Sequence, residues 1–103
     1  MSMYLLRVHN IDGKKIVAVC DEEIFGHVYR EGDIVLDISL NFYGGRRVNV
    51  EEVVEAINNA DMAVISGKRI VSELEKRGLA SKEFALSVQG QLHIQMVKEV
   101  FEV

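Results

Sequence analysis

The tetrapeptide Cys20-Asp21-Glu22-Glu23 places a thiol directly before three carboxylates. A cysteine becomes a nucleophile when a helix N-terminus, a cation or a base favours its thiolate, and His93 and His27 are the candidate bases. In such a site Asp21 or Glu22 would orient the imidazole. The neighbouring carboxylates oppose thiolate formation, however, and a free cysteine usually packs as a small hydrophobe. The simpler reading makes Cys20 a buried strand end and Asp21 a helix cap. His93 has a second use. In a strand, Gln91, His93 and Gln95 share one face while Leu92, Ile94 and Met96 share the other. A row of neutral donors and acceptors suits a base edge, an extended backbone or a peptide, and it equally suits a solvated sheet face.

Two glycine-containing segments are candidates for anion contact. In Tyr43-Gly44-Gly45-Arg46-Arg47, two cations follow a tight turn beside the aromatics Phe42 and Tyr43, which are expected to be exposed. Ser66-Gly67-Lys68-Arg69 stands at a helix start, where free N–H groups attract anions. Neither matches a Walker A loop or the GxGxxG fingerprint, so a turn and a helix cap are the simpler readings. His9, His27 and His93 are scattered, with no CxxC or HxH spacing, so no metal site is expected. No cofactor motif is present either.

These residues need a scaffold, and the chain supplies strand and helix signals in turn. Tyr4, Leu6 and Val8 alternate with polar and apolar neighbours, Asp12-Gly13 follows, and a β-branched run leads to Cys20, which together predict an N-terminal β-hairpin. The segment from Asp21 to Tyr29 reads as one helical turn followed by a loop at Gly26. Ile34, Leu36 and Ile38 then alternate as a strand, and Asn41 to Arg47 reads as a loop. Asn49 with Glu52 forms a capping box ahead of the stripe Val50, Val53, Val54 and Ile57. Met62 to Ile65 is a short apolar strand. Ser66 is expected to cap a second helix, with Ile70, Val71 and Leu74 inward, Glu73 supporting Arg77, and Gly78 ending it. Phe84, Leu86 and Val88, then Leu92, Ile94 and Met96, alternate as strands; the tail from 97 to 103 reads equally as strand or helix.

Composition bounds what such a scaffold can be. A chain of 103 residues with no repeat or linker makes one domain, 1–103, of α+β class. The expected architecture is a mainly antiparallel sheet with the N-terminal hairpin and two helices packed on one face. Twelve basic residues against sixteen acidic ones leave a net charge of −4, which argues against a protein that lives by non-specific phosphate binding. The single cysteine excludes an internal disulfide and points to the reducing cytoplasm. No apolar run approaches the roughly 20 residues of a membrane span, and the first residues carry no signal-peptide pattern.

In order along the chain, VAVCDEEIFG (Val17 to Gly26), YREGDIVLDIS (Tyr29 to Ser39), FYGG (Phe42 to Gly45), the Gly67 helix and a final Gly-x-x-His-x-Gln (Gly90 to Gln95) resemble the archaeal domain of unknown function 424 family. The chain departs from the family pattern at Leu92, where proline is usual, and at Val64, where asparagine is usual. The resemblance implies an archaeal cytosolic protein without an assigned activity. The functional expectation is a non-enzymatic binding or adaptor module in an RNA- or translation-associated process, with RNA or ribosomal proteins as partners. Its contact surface combines Phe42, Tyr43, Arg46 and Arg47 with Gln91, His93 and Gln95. The alternatives are a small enzyme with Cys20 as nucleophile and His93 as base, and a subunit-interface protein that forms a homodimer through a sheet edge.

Overall fold

Alternating apolar residues build β1 (Tyr4–Ile11) and β2 (Lys14–Asp21), an antiparallel hairpin turned at Asp12-Gly13 with both turn residues at positive φ. The computed structural model describes residues 2–98 of the chain. After β2 come a 3-10 turn (Glu22–Ile24) and a second hairpin of β3 (Val28–Glu31) and β4 (Ile34–Asp37). A single helical turn, α1 (Leu40–Tyr43), then leads into strand β5 (Arg46–Val48). Helix α2 (Val50–Asn58), strand β6 (Met62–Ser66) and helix α3 (Lys68–Lys76) follow. A second 3-10 turn (Lys82–Phe84) precedes β7 (Leu86–Val88) and β8 (Gln91–Val97).

Six strands form one sheet in the order β5-β1-β2-β6-β8-β7, and β3 and β4 form a separate ribbon. Every neighbouring pair is antiparallel except β2 and β6. The α+β class and the mainly antiparallel sheet are therefore as the sequence predicts. Both faces of the sheet are covered. On one, Leu6, Val17, Val19 and Ile65 pack with Val53 of α2 and Ile70, Val71 and Leu74 of α3. On the other, Ala18, Cys20 and Val64 pack with Ile24, Leu36, Ile38 and Tyr43. The second layer, made by the β3–β4 ribbon and α1, is why β2 is buried on both sides from Val17 to Asp21 rather than alternating.

The capping box forms as read: Asn49 Oδ1 accepts from Glu52 N–H at 2.9 Å and Glu52 Oε1 accepts from Asn49 N–H at 3.3 Å. Four local expectations need correction. The segment from Asn41 to Arg47 is not a loop; Ser39 caps α1 through Phe42 N–H, and β5 then pairs with β1. Ser66 does not cap α3. That role falls to Asp21 at the end of β2, whose Oδ2 and Oδ1 accept from the N–H groups of Arg69 and Ile70, each at 2.9 Å. Glu73 pairs with Lys76, while Arg77 reaches Glu51 on α2, so a cross-helix contact replaces the expected i,i+4 pair. Tyr43 is buried. Of the tail, Val97 closes β8, and residues 99–103 lie outside the described residues. No helix among the described residues is long and apolar enough to cross a membrane.

Gly67 makes the Asp21 cap fit. Its φ of 128° is open only to glycine, and a Cβ there would collide with the Asp21 carboxylate. Gly67→Ala is therefore expected to lower the unfolding free energy by about 3 kcal/mol, against about 1 kcal/mol for Asn49→Ala at the half-buried capping box. Urea titrations of the two variants would measure both. Equal losses would mean that α3 is not held by its distant cap.

Candidate functional site

Strands β2, β6 and β8 place Cys20, Ser66 and His93 side by side, because Cys20 is in register with Ser66 and Ser66 with His93. Ser66 Oγ lies 2.8 Å from His93 Nδ1 and 2.8 Å from the Tyr43 hydroxyl, which descends from α1. On the outer side Gln95 Nε2 lies 3.2 Å from His93 Nε2. An amide NH2 can only donate, so Nε2 accepts and the proton sits on Nδ1. His93 then donates to Ser66, and Ser66 is left to donate to the Tyr43 oxygen. The result is a one-directional line of hydrogen bonds, Gln95 to His93 to Ser66 to Tyr43, running from the surface into the core.

Burial sets the charge states along this line. Desolvation lowers the His93 pKa, so the imidazole is neutral at pH 7. Desolvation raises the Tyr43 pKa, with the Ser66 bond opposing it. Cys20 is fully buried, and desolvation with the nearby Asp21 charge pushes its thiol up to about 12. Asp21 too is raised by burial, against the pull of its two backbone donors and Arg69.

Cys20 and His93 stand two strands apart, roughly 9–10 Å across the sheet, with Ser66 between them. His93 hydrogen-bonds Ser66, and at the thiol burial with the Asp21 and Glu23 charges outweighs the one contact that favours a thiolate, a backbone hydrogen bond from Leu5. His27 stacks on Tyr29 in the ribbon. Ser66 beside His93 has the composition of a nucleophile and base, but its hydroxyl is fully buried beneath Tyr43. The N–H groups of Arg69 and Ile70, which would face an oxyanion at the start of α3, are already engaged by Asp21. Glu22 pairs with Arg47 and Glu23 with Arg69, each carboxyl held below its usual range by its guanidinium partner.

The line opens into a cleft of about 540 Å³ between the sheet and the β3–β4 ribbon. Ile16, Met62 and Val64 supply apolar lining from the sheet, and His93, Gln95 and Asp37 supply polar groups. Phe42 borders the cleft, half-buried and stacked on the His9 ring at 4.9 Å. Of the binding residues read from sequence, Phe42, Tyr43, His93 and Gln95 meet here. Gln91 lies further along β8, opposite Val88. Arg46 and Arg47 do not join them: β5 is four strand spacings from β8, roughly 19 Å, and the two side chains pair with Glu52 and Glu22. Sequence reasoning missed Ser66 as the link and Asp37 as part of the lining. The only signal for Ser66 was that Gly67 follows it, which fitted a helix cap as well.

The segments that carried the family resemblance converge on this region. Tyr43 comes from FYGG, whose Gly45 lets the chain pass directly against the backbone of Leu6. Cys20 and Asp21 come from CDEE, and His93 and Gln95 from the last motif. Fold and site define a small α+β domain with a ligand-sized cleft; among the described residues no group of three or more His, Cys, Asp or Glu is placed to hold a metal ion. The chain belongs to the family described as "Protein of unknown function (DUF424)", whose model matches residues 9–98. It is similar to the crystal structure of an uncharacterized conserved protein from Methanopyrus kandleri, with a TM-score of 0.71, 25% identity, and 98% of each chain covered. No curated protein matches it.

Two outcomes test the charge states. An NMR titration of the histidine rings is expected to place His93 below the ordinary value of about 6.5. Because the unfolded chain then binds the proton more readily, this group's contribution to stability is full above that ordinary value and is lost as pH falls through the lowered one. An ordinary or raised value would show that the ring is not desolvated. Cys20 is expected to resist an aromatic disulfide reagent at mildly alkaline pH until urea unfolds the protein, read by absorbance. Prompt labelling of the native form would contradict its burial.

Proposed function

We propose that the chain is a non-enzymatic binding module that takes an unpaired base of single-stranded RNA into the cleft between the β3–β4 ribbon and β8, in an RNA- or translation-associated process of the cytoplasm. One observation carries this reading: His93, kept neutral by burial and positioned by its hydrogen bond with Ser66, stands beside Gln95 in a cleft with apolar lining. The volume of about 540 Å³ lies in the range of small-ligand pockets. Among the described residues no Lys or Arg lines the cleft, and Asp37 does, so its chemistry suits a base rather than a phosphate. Asp37 accepts from an exocyclic amino group or ring N–H; Gln95 offers both a donor and an acceptor. Phe42 at the border offers an aromatic face for stacking. Binding of this kind is modest in affinity and shallow in its salt dependence, because few phosphates are neutralised.

Fluorescence anisotropy with short labelled homopolymers of each RNA base tests the proposal. One base is expected to bind best, and His93→Ala and Gln95→Ala are each expected to weaken it by about fivefold to tenfold. Gln95 is exposed, so its variant keeps the test valid even if His93→Ala loosens the fold. Arg46→Ala, far from the cleft, should leave the affinity unchanged. Absence of binding at low salt, or binding indifferent to both cleft variants, overturns the reading.

A further inference from the structure

A groove of about 460 Å³ runs along α3 on the face of the sheet opposite the cleft. Lys68, Arg69, Lys76 and Lys82 line it, with Glu73 as the one carboxylate that lines it among the described residues. In a chain whose net charge is −4, this is a local reversal of sign. Tyr4 also lines the groove. It is only 1% exposed, and no hydrogen bond among the described residues engages its hydroxyl. The Arg69 guanidinium lies 4.9 Å from the centre of the Tyr4 ring. Its Nε and Nη2 bind Glu23, Nη2 also donates to Met3 O, and its Nη1 is buried without a partner among the described residues. Of the two, only the buried Arg69 Nη1 is a polar atom that ordinary packing leaves unexplained; the Tyr4 hydroxyl is not shut off from solvent and is free to donate into the groove.

We propose that this groove is an anion site that holds the phosphoryl groups of a small phosphorylated molecule, with Lys68, Lys76 and Lys82 supplying charge and the Tyr4 hydroxyl supplying a directed hydrogen bond. The existing contacts leave these cations available. Lys68 forms no ion pair among the described residues, and the pairs of Lys76 with Glu73 and Lys82 with Glu75 are long, at 3.6 and 3.9 Å, and solvent-exposed. Exposed pairs of that kind contribute little and exchange readily for a more highly charged acceptor. Burial raises the Tyr4 pKa, which keeps its hydroxyl protonated and able to donate. The N-terminus of α3 is not itself the site, because Asp21 already fills it. The proposal is independent of the RNA reading, since the two surfaces lie on different faces.

The test is a two-dimensional amide NMR titration of the whole chain with inorganic pyrophosphate, at ionic strength held constant with sodium chloride. Saturable shifts are expected at residues 2–4 and 68–82, with His93 and Gln95 unmoved. Lys68→Gln is expected to weaken binding by about fivefold and Tyr4→Phe, which keeps the ring packing, by about threefold. Arg46→Gln should have no effect. Orthophosphate is expected to bind more weakly than pyrophosphate, since it engages fewer of the lysines. Shifts that chloride alone reproduces, that spread equally to Lys14 and Lys15, or that survive both groove variants would overturn the site.

Discussion

The carboxylate of Asp21 joins the end of β2 to the first turn of α3, and much of the molecule is arranged around that contact. It accepts from two backbone N–H groups forty-eight and forty-nine residues downstream, in a site with almost no solvent. A helix start buried in this way needs an acceptor, and no nearby side chain in its own sequence supplies one, because the residue before α3 is Gly67. Gly67 in turn must be glycine, since its position lies against the carboxylate. The cap therefore sets where β6 ends relative to β2. With the two strands parallel and Cys20 opposite Ser66, the next strand brings His93 into the same row.

The polar line through Tyr43, Ser66 and His93 follows from that row. Each member satisfies the next, so a serine and a tyrosine can be buried on the ribbon side without the desolvation penalty of an unpaired hydroxyl. The same bonds fix the ring of His93, so its outer edge reaches the cleft already ordered, while burial keeps it uncharged. A pre-positioned donor and acceptor pair loses little entropy when it meets a ligand. The two faces of the sheet diverge in character. The ribbon face carries a cleft whose one charged lining residue among the described residues is Asp37, and the helical face carries a groove dominated by cations.

Where charge is concentrated also differs from a simple count of basic dipeptides. Arg46-Arg47 is the most basic-looking loop segment, yet as adjacent strand residues the two side chains point to opposite faces, where Glu52 and Glu22 pair with them. Lys68 and Lys76, eight positions apart in sequence, line one groove on a helix that passes beside Lys82. Helical geometry and chain return, not proximity in sequence, gather the cations.

Local physics made several features legible in the sequence. The Asp-Gly turn, the Asn49 capping box and the alternation in β1, β4 and β8 depend on residues within a few positions of one another, so the α+β class and the polar face of β8 could be read directly. The carriers of the resemblance, FYGG, CDEE and the final His-x-Gln, were also visible as words. What those words do was not. Whether Asp21 caps the following turn or a helix far downstream, whether Ser66 faces its own helix or a tyrosine on another layer, and whether Tyr43 is exposed all depend on strand order and on the β3–β4 ribbon covering the second face. Those are contacts between residues twenty to fifty positions apart. A periodicity assigns a side chain to a face, but only the assembled layers determine what lies across from it.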